Sequence, residues 1–250
     1  MKNISVCMAT YNGARFLHDQ LDSILSQIAD NDEIIVVDDA STDNSVEVLK
    51  SYKDERIKIY LNSRNVGVNK SFERAITLSG GKYIFLSDQD DIWCPRRMKT
   101  MRDALDISNV LLVSTLFSCI DRDGNTCTTL SPMLHSLDSN RYIRNIFGIF
   151  LNKRSYYGCA MAFRYELKKI ILPFPSYMES HDLWIAFAAN ICCSNLHLEY
   201  CSLLHKVHGE NASIIKRNII KKINSRIIFL ISIIHLYLRK YMWKFITRNK

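Results

Sequence analysis

The feature that most restricts the fold is a cycle running through residues 3–91: short β-branched runs alternate with stretches of helical period, and an unusual polar cluster follows each run. Residues 3–10 (NISVCMAT) and 33–38 (EIIVVD) read as strands. Between them, residues 14–28 place Phe16, Leu17, Leu21, Ile24, Leu25 and Ile28 at helical spacing. The spacing then predicts a helix from about Ser45 to Tyr52, a strand over 57–61, a helix over about 69–79 and a strand over 82–87. Strands alternating with helices predict an α/β fold, with a Rossmann-like, mostly parallel central sheet flanked by helices. Ligands on such sheets bind beyond the carboxyl ends of the strands. Those ends carry Thr10-Tyr11-Asn12-Gly13, Asp38-Asp39, Asn65-Val66-Gly67 and Asp88-Gln89-Asp90-Asp91.

Asp88-x-Asp90-Asp91 carries the most chemistry. Three carboxylates within four residues repel one another unless a cation or a set of donors compensates. A hard divalent ion such as Mn²⁺ or Mg²⁺ takes carboxylate oxygens and keeps positions open for phosphate oxygens. The plainer alternative is a solvated acidic loop in which Asp91 caps the next helix. Asp38-Asp39 form the second cluster. One of these carboxylates can accept the imide N–H of a uracil or thymine ring, while Ser41, Thr42 or Asp43 cap the helix that starts near Ser45.

The net charge of +8 suggests nucleic-acid binding until its position is considered. No Asp or Glu follows Glu210, whereas ten Lys and Arg do, so removing the tail leaves residues 1–210 at −2. A near-neutral body with a basic tail argues against a nucleic-acid-binding core. The eight cysteines include no CxxC pair and sit in apolar surroundings, as expected of reduced thiols in the cytoplasm. The apolar run at the N-terminus is broken too early, at Thr10 and Asn12, to read as a signal peptide.

Beyond residue 94 the pattern loosens. Asp123-Gly124-Asn125 reads as a hairpin turn, and 131–156 mixes Pro132 and His135 with many basic and aromatic residues. Residues 158–171 read as a strand passing into a helix, and 181–193 as a helix that opens with His181 and Asp182.

Six motifs fall in one order: Thr10-Tyr11-Asn12-Gly13; Val37-Asp38-Asp39-Ala40-Ser41-Thr42-Asp43; Asn65-x-Gly67; the run from Phe85 to Trp93; Gly158-Cys159-x-Met161; and His181-Asp182-x-Trp184. Together they resemble the family 2 glycosyltransferases of GT-A fold over residues 3–213, and look closest to rhamnosyltransferase-like members of bacterial polysaccharide assembly. The resemblance implies an inverting sugar transferase using a UDP- or dTDP-sugar donor and Mn²⁺ or Mg²⁺. Thr10, Tyr11 and Asn12 would frame the nucleotide, and Asp39 would accept the imide proton of its base. Asp88 would approach ribose or metal, Asp90 would be the principal metal ligand, and Asp182 the general base. Asn65, Gly158 and Trp184 are carried over as substrate-binding positions, although an apolar residue at the offset of Trp184 or Trp93 also reads as a first core contact of the next helix. His208, in the segment His208-Gly209-Glu210-Asn211, resembles a histidine that reaches the metal or diphosphate. Lys206 stands where relatives more often have Arg, without its bidentate fork. His18, His135, His197, His205 and His235 have no such context and read as structural or solvent-facing.

The resemblance divides the chain into a catalytic region, 1–213, with a nucleotide-sugar half (1–93) and an acceptor half (94–213), followed by a basic tail, 214–250. Within the tail, 227–238 is a twelve-residue apolar run, short of the ~20 residues that span a bilayer. It is expected to lie as a helix on the inner membrane surface, its basic flanks held by anionic head groups. The competing expectation packs it on the body. Peripheral association with the cytoplasmic membrane would suit a lipid-linked glycan acceptor. Two other functions fit less well. A catalytically silent nucleotide-binding subunit has no need of Asp88, Asp90 and Asp182 together. A nucleotidyltransferase calls for a glycine-rich phosphate loop, and residues 10–15 supply one glycine.

Overall fold

The computed structural model describes residues 2–108, 110–121, 124–127, 134–207 and 219–248. Four parallel strands form its first half: β1 (Ile4–Thr10), β2 (Glu33–Asp38), β3 (Ile57–Leu61) and β4 (Tyr83–Ser87), in the spatial order β3-β2-β1-β4. Every residue of β2 and β4 is buried. This is why these strands read as continuous apolar runs: helices cover both faces of a parallel sheet. The covering helices are α1 (Ala14–Leu25), α2 (Ser45–Ser51) and α3 (Val68–Leu78). Leu17, Leu21 and Ile24 of α1 pack on one face, against Val6 and Met8, while Phe72, Ala75 and Ile76 of α3 pack on the other, against Cys7 and Ile35. The alternation along β1 thus feeds two separate cores.

Beyond β4 the sheet turns antiparallel. β8 (Met161–Arg164) pairs with β4, and β6 (Leu112–Ile120) pairs with β8. The long β9 (Asn195–Lys206) runs parallel to β6, and β5 (Asp91–Trp93) closes the order against β9. β7 (Thr126–Cys127) forms the expected hairpin with β6, with Gly124 at φ +83° in the turn. The rest of the second half is α4 (Arg97–Ser108), α5 (Tyr142–Phe150), α6 (Tyr165–Ile171) and α7 (His181–Ile191). Nearly all of α7 is buried, apart from Asp182 and Leu183. Such a helix lies between layers rather than on one, and α5, α6 and α8 (Ile219–Arg248) all pack around it.

α8 packs on the body through Ser225, Phe229, Ser232 and Leu236, a stripe at helical spacing. Phe229 meets Phe187, Arg239 donates to the carbonyls of Ile171 and Pro173, and the Ser225 hydroxyl bonds Glu179. The packing expectation for the tail therefore holds on one face. On the other face Ile223, Ile227, Leu230, Ile231, Ile234 and Leu238 are exposed. Among the described residues no helix is long and apolar enough to cross a membrane.

Candidate active site

Four strand ends meet along the carboxyl edge of the sheet, and hydrogen bonds stitch their loops together. After β1, Asn12 takes φ +50°, a conformation that asparagine tolerates better than most residues. Its carboxamide oxygen accepts from the Thr42 amide at 2.8 Å, and its own amide donates to the Ser41 hydroxyl at 2.9 Å. The loop after β2 also satisfies the start of α1: the Gly13 amide donates to Ser45 Oγ and the Ala14 amide to Asp43 Oδ2. The N-cap of α2 is Asn44, with no side-chain cap bond, which corrects the expectation that Ser41, Thr42 or Asp43 holds that position; Asp43, one residue earlier, accepts from the Ser45 amide. Asp38 turns inward to Ser41.

Asp39 is buried, and three donors of the next loop already hold its carboxylate: Asn62 Nδ2 at 2.7 Å, the Val66 amide at 2.9 Å and the Gly67 amide at 2.8 Å. Gly67 sits at φ +90°, which only glycine adopts readily. Its reason for being there is thus the turn that presents two amides to Asp39. A carboxylate has about four acceptor positions, so one remains for an incoming N–H. Asn65 is exposed on the same loop, while Asn69, which the sequence motif did not single out, binds the His181 amide through Oδ1 and the Glu179 carbonyl through Nδ2.

The acidic run after β4 folds as a tight turn into β5. Asp88 is half-buried, Asp90 and Asp91 are buried, and the pairing of β5 with β9 sets Asp91 opposite His205. The helix-capping alternative for Asp91 fails here, because Asp91 begins a strand. It bonds His205 Nδ1 at 2.7 Å, and the Cys159 thiol lies nearby. Asp91, Cys159 and His205 each offer a ligand atom within 4.8 Å of the others. Burial, then the charges of Asp91 and Asp90 and more weakly that of Asp182, push the Asp88 carboxyl well above the usual range, with His205 pulling the other way. Burial would lower His205, but the Asp91 hydrogen bond and the Asp91, Asp88 and Asp90 charges outweigh it and raise the imidazole to about 9. Among the described residues the carboxylates of Asp88, Asp90 and Asp91 crowd together here with His205 as a cationic neighbour, an excess of negative charge that a bound cation would offset. Its chemistry suits a hard divalent ion, and the buried Arg97 beneath it is already committed to Ser202, the Cys159 carbonyl and the face of Trp93.

His205 therefore corrects the expectation that it is structural or solvent-facing. The sequence predicts no strand at this position; the β5–β9 register, spanning 114 residues, makes it the partner of the acidic run. His208 lies outside the described residues. Lys206 pairs with Asp19 at 2.6 Å, on the α1 side.

Asp182 stands in the first turn of α7, where it accepts its neighbour Leu183's amide, and its charge reaches Asp88. Gly158 explains how α7 comes so close. A Cβ there would lie 2.7 Å from His181 Nε2 and 3.7 Å from Asp182 Cβ. The space beside Gly158 is therefore taken by His181, which gives the glycine a packing reason of its own. His181 stacks on Phe72 at 4.1 Å and is bound by Asn69, so the helix start is fixed from three sides. Trp184 is also corrected. It is 1% exposed, donates Nε1 to the Ile171 carbonyl at 2.9 Å, and packs in the α7 core, where no substrate meets it. Trp93 likewise packs in the core, against Phe85.

The model of the family described as "Glycosyl transferase family 2" matches residues 5–171. An uncharacterized glycosyltransferase of Rickettsia bellii is 25% identical over 86% of this chain and 30% of its own length. A putative teichuronic acid biosynthesis glycosyltransferase, TuaG of Bacillus subtilis, is 28% identical over 56% of this chain and 55% of its own. The chain thus spans from under a third to a little over half of these relatives. Among solved structures, S. aureus TarS 1-349 in complex with UDP-GlcNAc superposes with a TM-score of 0.73 at 18% identity, covering 92% of this chain and 66% of that one. The mannosyltransferase PcManGT of Pyrobaculum calidifontis, in complex with GDP-Man and Mn²⁺, gives 0.63 at 18% identity, covering 84% and 58%. These likenesses establish the GT-A fold. With a match over most of its strand-and-helix core, the chain belongs to glycosyl transferase family 2.

Proposed function

We propose that the protein is an inverting glycosyltransferase that moves a sugar from a UDP- or dTDP-sugar to a hydroxyl of a lipid-linked glycan in cell-surface polysaccharide synthesis. One observation carries the reading: the carboxylates of Asp88, Asp90 and Asp91 crowd a sheet edge where the charge of Asp182, from a distant helix, also reaches Asp88. In this reading residues 1–93 hold the donor and 94–213 the acceptor. Tyr11, 45% exposed as a residue, offers a face for the base, and Asp39 offers its remaining acceptor position to an imide N–H. Asp90 and Asp88 would hold Mn²⁺ or Mg²⁺, which when bound neutralises the departing diphosphate. The acceptor oxygen attacks the anomeric carbon, its proton passes to the Asp182 carboxylate, and the carbon–oxygen bond to the diphosphate breaks with its electron pair leaving on the phosphate. TarS and PcManGT support the nucleotide-sugar class through the donors named in their complexes.

The outer face of α8 supports a peripheral place on an anionic, cytoplasmic membrane surface. Exposed Ile227, Leu230, Ile234 and Leu238 follow exposed Lys221 and Lys222, and no acidic residue occurs after Glu210. A second copy packed on this face would set basic tail against basic tail with no acidic partner, whereas anionic lipid complements it.

A hydrolysis screen of nucleotide sugars with Mn²⁺ tests the enzyme. One donor turns over; Asp90→Ala loses the metal-stimulated rate; Asp182→Asn binds donor but transfers poorly. Full transfer by Asp182→Asn removes it as the base, and nucleotide binding without turnover of any donor favours a silent subunit. For the membrane, full-length protein should co-sediment with phosphatidylserine-containing vesicles, and Leu230→Glu/Ile234→Glu should not. Equal binding by that variant, or none by the native chain, overturns the membrane placement.

A further inference from the structure

Gln89 occupies the variable position of Asp88-x-Asp90, where a side chain is expected to face solvent. Instead its carboxamide reaches across to the end of β1. Its oxygen accepts from Thr10 Oγ1 at 2.7 Å and from the Tyr11 amide at 2.8 Å, and its nitrogen donates to the Tyr11 carbonyl at 3.2 Å. Both backbone polar groups of Tyr11 are thus held by one side chain. Only an amide does this, because a glutamate has no N–H for the carbonyl and a lysine no acceptor for the amide.

Gly13 is cut to fit the same contact. Its φ of −104° is open to any residue, so conformation does not require glycine. Space does: a Cβ there would overlap Gln89 Oε1 and lie 2.7 Å from Gln89 Cδ and 2.9 Å from Thr10 Oγ1. Two separate places in the sequence therefore serve one hydrogen-bonded latch.

We infer that Gln89 is a positioning residue that couples the carboxylate loop to the nucleoside platform, so that a divalent cation at Asp88 and Asp90 and a nucleoside at Tyr11 strengthen each other's binding. The inference rests on the roles proposed above for these two loops. Asp88 and Asp90 flank Gln89 directly, so a cation that draws them into one arrangement also fixes the amide, and with it the backbone that carries the Tyr11 ring. Coupling between sites is reciprocal in binding free energy, so the effect can be read from either ligand.

The test uses uridine, which lacks phosphates and so cannot be bridged to the metal. Titration calorimetry of the full chain should show uridine binding strengthened about fivefold or more by Mg²⁺, the low end of usual couplings. In Gln89→Ala the factor should fall to near one, with uridine still binding. Gly13→Ala should reproduce the loss without removing any polar group, and Gln89→Glu should keep part of the coupling. A native chain whose uridine affinity ignores Mg²⁺, or a Gln89→Ala chain that keeps the full factor, overturns the inference. Should Gly13→Ala fail to fold, Gln89→Ala and Gln89→Glu decide the matter alone. Failure of the parent reading looks different: no nucleotide sugar or nucleoside diphosphate binds the native protein with any cation.

Discussion

Replacing Gly158 with alanine should disable transfer while leaving the donor bound. The added Cβ would lie 2.7 Å from His181 Nε2, where nonbonded contact asks for about 3.5 Å. The ring must therefore move by roughly 0.8 Å. Its movement is restricted on two sides, because Phe72 stacks on it at 4.1 Å and Asn69 Oδ1 lies 3.2 Å from its Nδ1. The displacement passes to the first turn of α7, which carries Asp182. A misplacement of about 1 Å in a reacting group can cost on the order of 10²-fold in rate, and overpacking of this kind costs about 1–3 kcal/mol in stability. Steady-state kinetics on the donor found by the screen should show kcat lowered by about 10²-fold with donor KM nearly constant, because the Tyr11 and Asp39 loops lie on other elements. Thermal unfolding checks that the chain remains folded. A Gly158→Ala protein that folds and transfers within about twofold of the native rate would refute the coupling of Gly158 to Asp182 through His181.

Two further outcomes follow from buried groups. His197 is held neutral: its Nδ1 donates to the His135 carbonyl, and its Nε2 accepts from Tyr156 Oη, onto which Asn190 and Asn195 already donate. Burial is the main cause that lowers it to about 4. A base with a depressed folded value stabilises the fold fully above its unfolded value, near 6.5, and loses that stability as pH falls through 4. Urea midpoints should thus drop across this window by an amount equivalent to roughly 3 kcal/mol, and His197→Gln should show a shallower fall; identical slopes would refute the assignment. Trp184→Phe removes one of the two donors to the Ile171 carbonyl, leaving Arg239 on it, and should cost about 0.5–1.5 kcal/mol in stability for the lost hydrogen bond with donor KM unchanged, whereas a donor KM raised several-fold would return Trp184 to the binding site.

The alternation of residues 3–87 was enough to determine the parallel half of the sheet, because both faces of those strands are covered and burial writes itself as unbroken apolar runs. The strand ends, and with them Tyr11, Asp39, Asp88 and Asp90, follow directly, since a parallel sheet puts every such end on one edge. The second half was less legible. β6 and β9 were not identified: β6 carries Ser114, Thr115 and Ser118 among its apolar residues, β9 carries His197, Glu199 and Ser202, and their shared ladder is interrupted by register shifts. Tertiary structure alone decided which polar residues meet. Strand pairing, which no local pattern encodes, brought His205 to Asp91; a close approach across separate segments gave Gly158 and His181 to each other; and the one residue of the acidic motif left without a role, Gln89, acquired one when its loop folded back on Tyr11. Local sequence can state what a residue is able to bind, but only the packed chain sets which donors and acceptors stand within 3 Å of it.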